Sequence, residues 1–142
     1  MPAFSMTSVE RLSTCHPLLQ QLFYAVILEY DCTIIQGYRS HEEQIVLYNQ
    51  GKTKVRTSKH NEMPSRAVDV APYLPGRGIP WPIPKSPSYI KDLNQFYHFA
   101  GYVEALAKEL HLNLRWGGDW DRDHNITDQS FNDLVHFEIG GI

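Results

Sequence analysis

Ser58-Lys59-His60-Asn61-Glu62-Met63-Pro64-Ser65-Arg66-Ala67-Val68-Asp69-Val70-Ala71 is the stretch on which the fold turns. From Gly51 to Ser65 the chain is polar and aperiodic, as a loop is, and Ala67 to Ala71 then reads as a short strand. Asp69 sits between Val68 and Val70, where an ionised carboxylate is costly unless a cation or hydrogen bonds offset it. Upstream, Leu18, Leu19, Leu22, Phe23, Val26, Ile27 and Tyr30 recur at helical spacing after Pro17, a residue suited to the first helical turn. Cys32 to Ile35 is a β-branched strand ended by Gly37, and Ser40-x-x-Glu43 caps a second helix, carried by Ile45, Leu47 and Tyr48 and stopped by Gly51. Downstream, six of the nine prolines fall between Pro72 and Pro87, a surface loop pinned by Trp81 and placed to wall a groove. Ser86-Pro87 opens a long helix with apolar positions Ile90, Leu93, Phe96, Tyr97, Ala100, Val103, Leu106 and Leu110. Leu112 to Trp116 is a strand, Gly117 to Ser130 an acidic loop, and Val135 to Ile139 a final alternating strand. Strands separated by uneven helices and loops predict an α+β fold, a small antiparallel sheet with about three helices packed on it.

At 142 residues the chain is one domain, with 42% hydrophobic and 20% charged residues, enough to fill a core. Thirteen Lys and Arg against sixteen Asp and Glu give a net charge of -3, which excludes a basic footprint for nucleic acid. The longest apolar run, Leu22 to Leu28, is far short of the roughly 20 residues of a membrane span, and no signal-peptide pattern opens the chain. Synthesis in the cytoplasm and a monomeric state are the expectations. Cys15 and Cys32 have no CxxC partner and read as reduced, buried thiols.

Seven histidines are a high share for this length. His60, Asp69 and His136 are metal-competent side chains at or inside predicted strands, and two imidazoles with one carboxylate suit a catalytic zinc that keeps an open place for water. Asp133, just ahead of the last strand, stands close enough to His136 to act as a general base. On spacing alone the bland alternative is as strong: Asp69 capping a turn, with His60 and His136 half exposed.

A resemblance moves that balance. Ser58-Lys59-His60 followed by Ser65-Arg66-Ala67-Val68-Asp69 resembles the signature of zinc peptidases that include D-alanyl-D-alanine carboxypeptidases and phage L-alanyl-D-glutamate endopeptidases. Asp133-Leu134-Val135-His136-Phe137-Glu138 is similar to its second half. Gly37-Tyr38-Arg39-Ser40, Glu43-Gln44 with Leu47-Tyr48, and Trp116-Gly117-Gly118-Asp119-Trp120 resemble further family segments in the same order. His60 and Asp69 stand nine apart where seven is commonest, and Ser65 replaces a usual glycine; two extra residues near Met63-Pro64 would bulge outward. The resemblance implies one zinc ion on His60, Asp69 and His136, with Asp133 as the base. It places Arg39 near substrate to hold an oxyanion or a carboxylate, Ser58 within reach of substrate, and Glu138 behind a metal ligand.

Asp119, Asp121, Asp123 and Asn125 alternate like the opening of a calcium loop, but lack the glycine and distant glutamate of an EF-hand, so a solvated loop is the preferred reading. Trp81, Tyr73, Trp116 and Trp120 read as core or groove wall. The function implied by the resemblance is a phage endolysin that cuts the L-alanyl-D-glutamate bond of the peptidoglycan stem peptide, reaching the wall through a holin-type pore. The alternatives are a D-alanyl-D-alanine carboxypeptidase or dipeptidase on the same scaffold, and a non-catalytic, zinc-stabilised binding module.

Overall fold

In the computed structural model, which describes residues 2–141, four strands form one antiparallel sheet in the order β1-β2-β4-β3: β1 Cys32–Gln36, β2 Ala67–Pro72, β3 Leu114–Gly117 and β4 Asp133–Ile139. Four helices accompany it: α1 Met6–Leu12, α2 Pro17–Val26, α3 His41–Asn49 and α4 Tyr89–Glu109. The α+β class and antiparallel sheet match the sequence reading. The fourth helix, α1, was not anticipated, because its seven residues hold too few apolar positions to show a period. It starts where the Ser5 side chain accepts the Ser8 N–H, and it packs on β1.

Strand alternation divides the sheet into two faces. Val68 and Val70 of β2, with Phe137 and Ile139 of β4 and Trp116 of β3, enter a core closed by α2 and α4. There Phe23 and Phe99 meet Phe137 edge-on, ring centroids 5.5 and 6.1 Å apart, and each buried ring contributes roughly 1.5–3 kcal/mol. The intervening residues, Asp69 on β2 and His136 and Glu138 on β4, are on the other face. β2 is buried along its whole length, so a carboxylate at its centre is enclosed.

Three expectations need correcting. α4 begins at Tyr89, and its buried residues are Asp92, Phe96, Phe99, Ala100, Val103 and Ala107, while Ile90 is 63% exposed. Arg77 makes a bidentate pair with Asp92, at 2.8 and 2.9 Å, and Ser88 Oγ donates to the same carboxylate, which tethers the proline-rich loop to this helix. That loop stacks Trp81 on Phe96 and lies away from the main cleft, so it walls no groove there. In α3 the apolar Ile45, Leu47 and Tyr48 are only half-buried and the fully buried residue is Gln44. Cys15 and Cys32 are buried and unbridged, and burial pushes their thiols up to about 11 and about 12. Among the described residues no helix is long and apolar enough to cross a membrane.

Candidate active site

His60 is carried by a single 3-10 turn, Lys59–Asn61, whose N-cap Ser58 accepts the His60 N–H at 3.2 Å while Asn61 Oδ1 takes the Ser58 N–H. This turn is tied to the link between β1 and α3 by Arg39, whose backbone N–H donates to the His60 carbonyl at 2.8 Å. The imidazole is 2% exposed, and its Nδ1 lies 2.7 Å from the Gly37 carbonyl. A carbonyl only accepts, so Nδ1 carries the proton and a neutral His60 turns its Nε2 lone pair inward. Gly37 is required here, because a Cβ at that position would collide with the Thr14 hydroxyl and the Arg11 carbonyl.

On β4, which pairs with β2 so that His136 faces Asp69, the opposite nitrogen is held. His136 Nε2 donates to Glu138 Oε1 at 2.8 Å, which leaves Nδ1 facing Asp69 Oδ1 at 3.5 Å, while His60 Nε2 is 3.2 Å from the same oxygen. Ligand atoms of His60, Asp69 and His136 all lie within 4.8 Å of one another. Three electron-rich atoms thus converge on one buried point, an arrangement that positive charge seated between them would offset. A metal cation fits the donor set, two imidazoles and a carboxylate with the outer nitrogens fixed by an amide and a carboxylate, as zinc sites are commonly built.

The titration behaviour follows from this crowding. Burial raises Asp69, but His136 and His60 against it outweigh burial and hold the carboxyl below the usual range. Burial lowers His136, yet its bonds to Asp69 and Glu138 raise it to about 9. Glu138, pushed up by burial and pulled down more strongly by His136 and Arg115, falls to about 2. Asp133 moves the other way: burial first, then the charge of Asp69, raise its carboxyl, against the pull of His136, His60 and Arg39.

Asp133 is the first residue of β4, opposite Gly117 of β3 where the register slips, rather than ahead of the strand. A Cβ on Gly117 would strike the Asp133 carbonyl, so only glycine lets the two strands approach there. Arg39, Ser58, Asp133 and Glu138 open with the three converging residues on one cleft of about 800 Å³, a size that suits a small peptide. Its walls are the segments 52–58 and 128–133 and the Trp120 ring, whose centroid is 5.4 Å from that of His136. Lys54 Nζ stands 5.0 Å over the Phe131 ring, a contact between the two walls. Trp120 is therefore groove wall, Trp116 is core, and Tyr73 and Trp81 lie elsewhere.

Four residues escaped the sequence reading. Lys59 Nζ and Arg115 Nη2 approach Glu138 Oε2 at 3.4 and 2.8 Å, so the carboxylate behind His136 is itself braced. Gln36 and Gln44 bond the guanidinium of Arg39. No spacing within one segment marks these four, and Gln44 looks like any polar residue of α3 until the helix is packed. In the acidic loop, Asp119, Asp121 and Asp123 bring carboxylates within 4.8 Å of one another. Asp121 and Asp123 are exposed, as a solvated loop requires, but Asp119 is only 2% exposed. Its Oδ2 accepts the His124 N–H at 2.9 Å and its Oδ1 has no hydrogen-bond partner among the described residues.

Known proteins resemble this chain along almost its whole length. The family model described as phage L-alanyl-D-glutamate peptidase matches residues 2–139. The L-alanyl-D-glutamate peptidase of Escherichia phage T5 is 30% identical over 129 residues, 89% of this chain and 87% of that protein. Among solved structures, the Serratia marcescens L-Ala D-Glu endopeptidase ChiX shares the fold with a TM-score of 0.72 at 20% identity, over 98% of this chain and 91% of that one. Matched by that family model from residue 2 to residue 139, the chain belongs to the phage L-alanyl-D-glutamate peptidase family.

Proposed function

We propose that this peptidase is a zinc endopeptidase that hydrolyses the L-alanyl-D-glutamate bond of the peptidoglycan stem peptide, acting as a monomer on the wall after release from the cytoplasm through a holin-type pore. The observation that carries the reading is the convergence of the His60 Nε2, His136 Nδ1 and Asp69 Oδ1 atoms, with Asp133 beside them in the same cleft. His60, Asp69 and His136 would hold one zinc ion, which when bound supplies Lewis acidity: it polarises a carbonyl and makes water nucleophilic near neutral pH. Asp133 accepts the proton of the attacking water and returns it to the leaving amine, a role suited to a carboxyl whose burial raises its proton affinity. Arg39 presents its cation to an oxyanion or a substrate carboxylate. Glu138 holds His136 in the tautomer that leaves Nδ1 free. Ser58 serves first as the cap that sets His60.

Asp133 favours catalysis over a binding module, since a purely structural metal site needs no carboxylate poised in an open cleft. The Asp119, Asp121 and Asp123 carboxylates favour a second, hard cation of the calcium type, because an orphaned buried carboxylate oxygen is otherwise a net cost. Mass spectrometry of peptidoglycan digests tests the main reading, run with protein, with protein plus chelator, and after zinc is restored. Zinc-dependent release of peptides that begin at D-glutamate is expected. Loss of terminal D-alanine alone would assign a carboxypeptidase instead, and one bound zinc without cleavage would assign the binding module.

A further inference from the structure

Arg39 is held in an unusual way. Its Nε and Nη2 donate to Gln36 Oε1 at 3.0 and 2.6 Å, and its Nη1 donates to Gln44 Oε1 at 2.9 Å. A guanidinium only donates, so both amides must face it through oxygen. Gln44 is fully buried, and its amide nitrogen donates to the Val55 carbonyl at 2.8 Å, so one side chain ties Arg39 to the cleft wall. All three guanidinium nitrogens are thus fixed by neutral partners. The carboxylate facing them is Asp69, whose Oδ2 is 3.8 Å from Nη2, within ion-pair distance but too far for a hydrogen bond that would hold the guanidinium.

A carboxylate is the ordinary partner of a two-pronged arginine and the stronger one. Glutamate at position 36 would offer the same two bonds with the charge added, and it would cancel the cation. We propose that Gln36 and Gln44 are positioning residues that orient Arg39 through neutral oxygens, so that its positive charge stays available to an oxygen anion of the substrate in the cleft. This rests on the reading of the cleft as a peptidase site. The geometry separates two demands on the arginine: rigidity comes from the amides, and the charge is left to the substrate.

Gln36→Glu tests this, with Gln36→Met as its companion. The probe is a phosphinate analogue of L-alanyl-D-glutamate, and a second probe carries carboxamides in place of the glutamyl carboxylates. Affinity is measured by calorimetry on the zinc-loaded protein, alongside Tm and zinc per chain. A purely structural role makes affinity follow stability, with Glu equal to or better than Gln and Met worst. The proposal expects the reverse for Glu: Tm and zinc content at or above the wild type, but affinity reduced by about tenfold, the worth of a charge-assisted bond. A loss with both probes assigns the charge to the tetrahedral oxygen, and a loss with the carboxylate probe alone assigns it to the glutamyl carboxylate. Unchanged affinity in Gln36→Glu, with a wild type that binds both probes, overturns the proposal and leaves the peptidase reading standing. A zinc-loaded wild type that binds neither probe overturns both.

Discussion

In its metal-free form this protein should lose stability as pH rises from 6.5 to 8.5. His136 is the group responsible: its ordinary value of 6.5 is raised to about 9, the bonds to Asp69 and Glu138 outweighing burial. The folded chain therefore binds a proton that the unfolded chain releases above 6.5. A raised folded value means that the stabilisation is full below 6.5 and is lost as pH climbs through about 9. Integrating between pH 6.5 and 8.5 gives a loss of about 2 kcal/mol, and for a chain of this size that lowers Tm by about 6 °C. The window stops at 8.5 because unfolded thiols begin to ionise there while Cys15 and Cys32 stay protonated in the fold. The assay is thermal unfolding followed by fluorescence in chelator across that window, with a parallel series saturated with zinc. Zinc needs a neutral imidazole, so the loaded protein should hold its Tm or gain across the same range. Glu138→Gln should flatten the metal-free slope, because one of the two bonds that raise His136 becomes neutral. A metal-free Tm that is flat or rises between pH 6.5 and 8.5 would refute the tautomer and charge assignment of the site.

Three further outcomes are expected. Asp133→Asn should keep one zinc per chain and an unchanged Tm while turnover falls by a factor of about 10² or more, whereas His136→Ala should lose the zinc as well; metal analysis beside peptide release separates the two. Gly117→Ala should cost about 2 kcal/mol and displace Asp133, visible as a lowered Tm together with reduced turnover. Calcium added to the zinc-loaded protein should raise Tm by several degrees through Asp119, Asp121 and Asp123, and Asp119→Asn should abolish the increase; no shift in the wild type would return these residues to a solvated loop.

The strands and the long helices were legible because a period is written in single residues. Val68, Asp69 and Val70 alternate over three positions, and the one polar member declares which face holds the site. The proline-rich loop read correctly as a loop, but its position did not, since the anchors Arg77 and Asp92 are distant in sequence and each looks like an ordinary surface charge. α1 was missed for lack of length. The same limit hid the shell around the site: Lys59 and Arg115 converge on Glu138 only once β3, β4 and the 3-10 turn are paired, and no spacing within one segment encodes that. Gln44 carries no role in the motif it belongs to, because a buried glutamine is indistinguishable from an exposed one until its helix is packed.

The two faces of β2 and β4 explain why such a site is affordable. On one face two imidazoles and a carboxylate are aimed at a single point, an arrangement that loses stability whenever the imidazoles are neutral and no cation is present. On the other, the neighbouring residues of the same strands, Val68, Val70, Phe137 and Ile139, are buried in the core against α2 and α4. Each strand residue that destabilises is therefore flanked by residues that stabilise, and the backbone under the site cannot relax without opening that core. The hydrogen bonds from Gly37, Glu138, Gln36 and Gln44 then fix rotation of the side chains themselves. Rigidity of this kind is what a site needs if its charges are to act on a substrate rather than collapse onto one another.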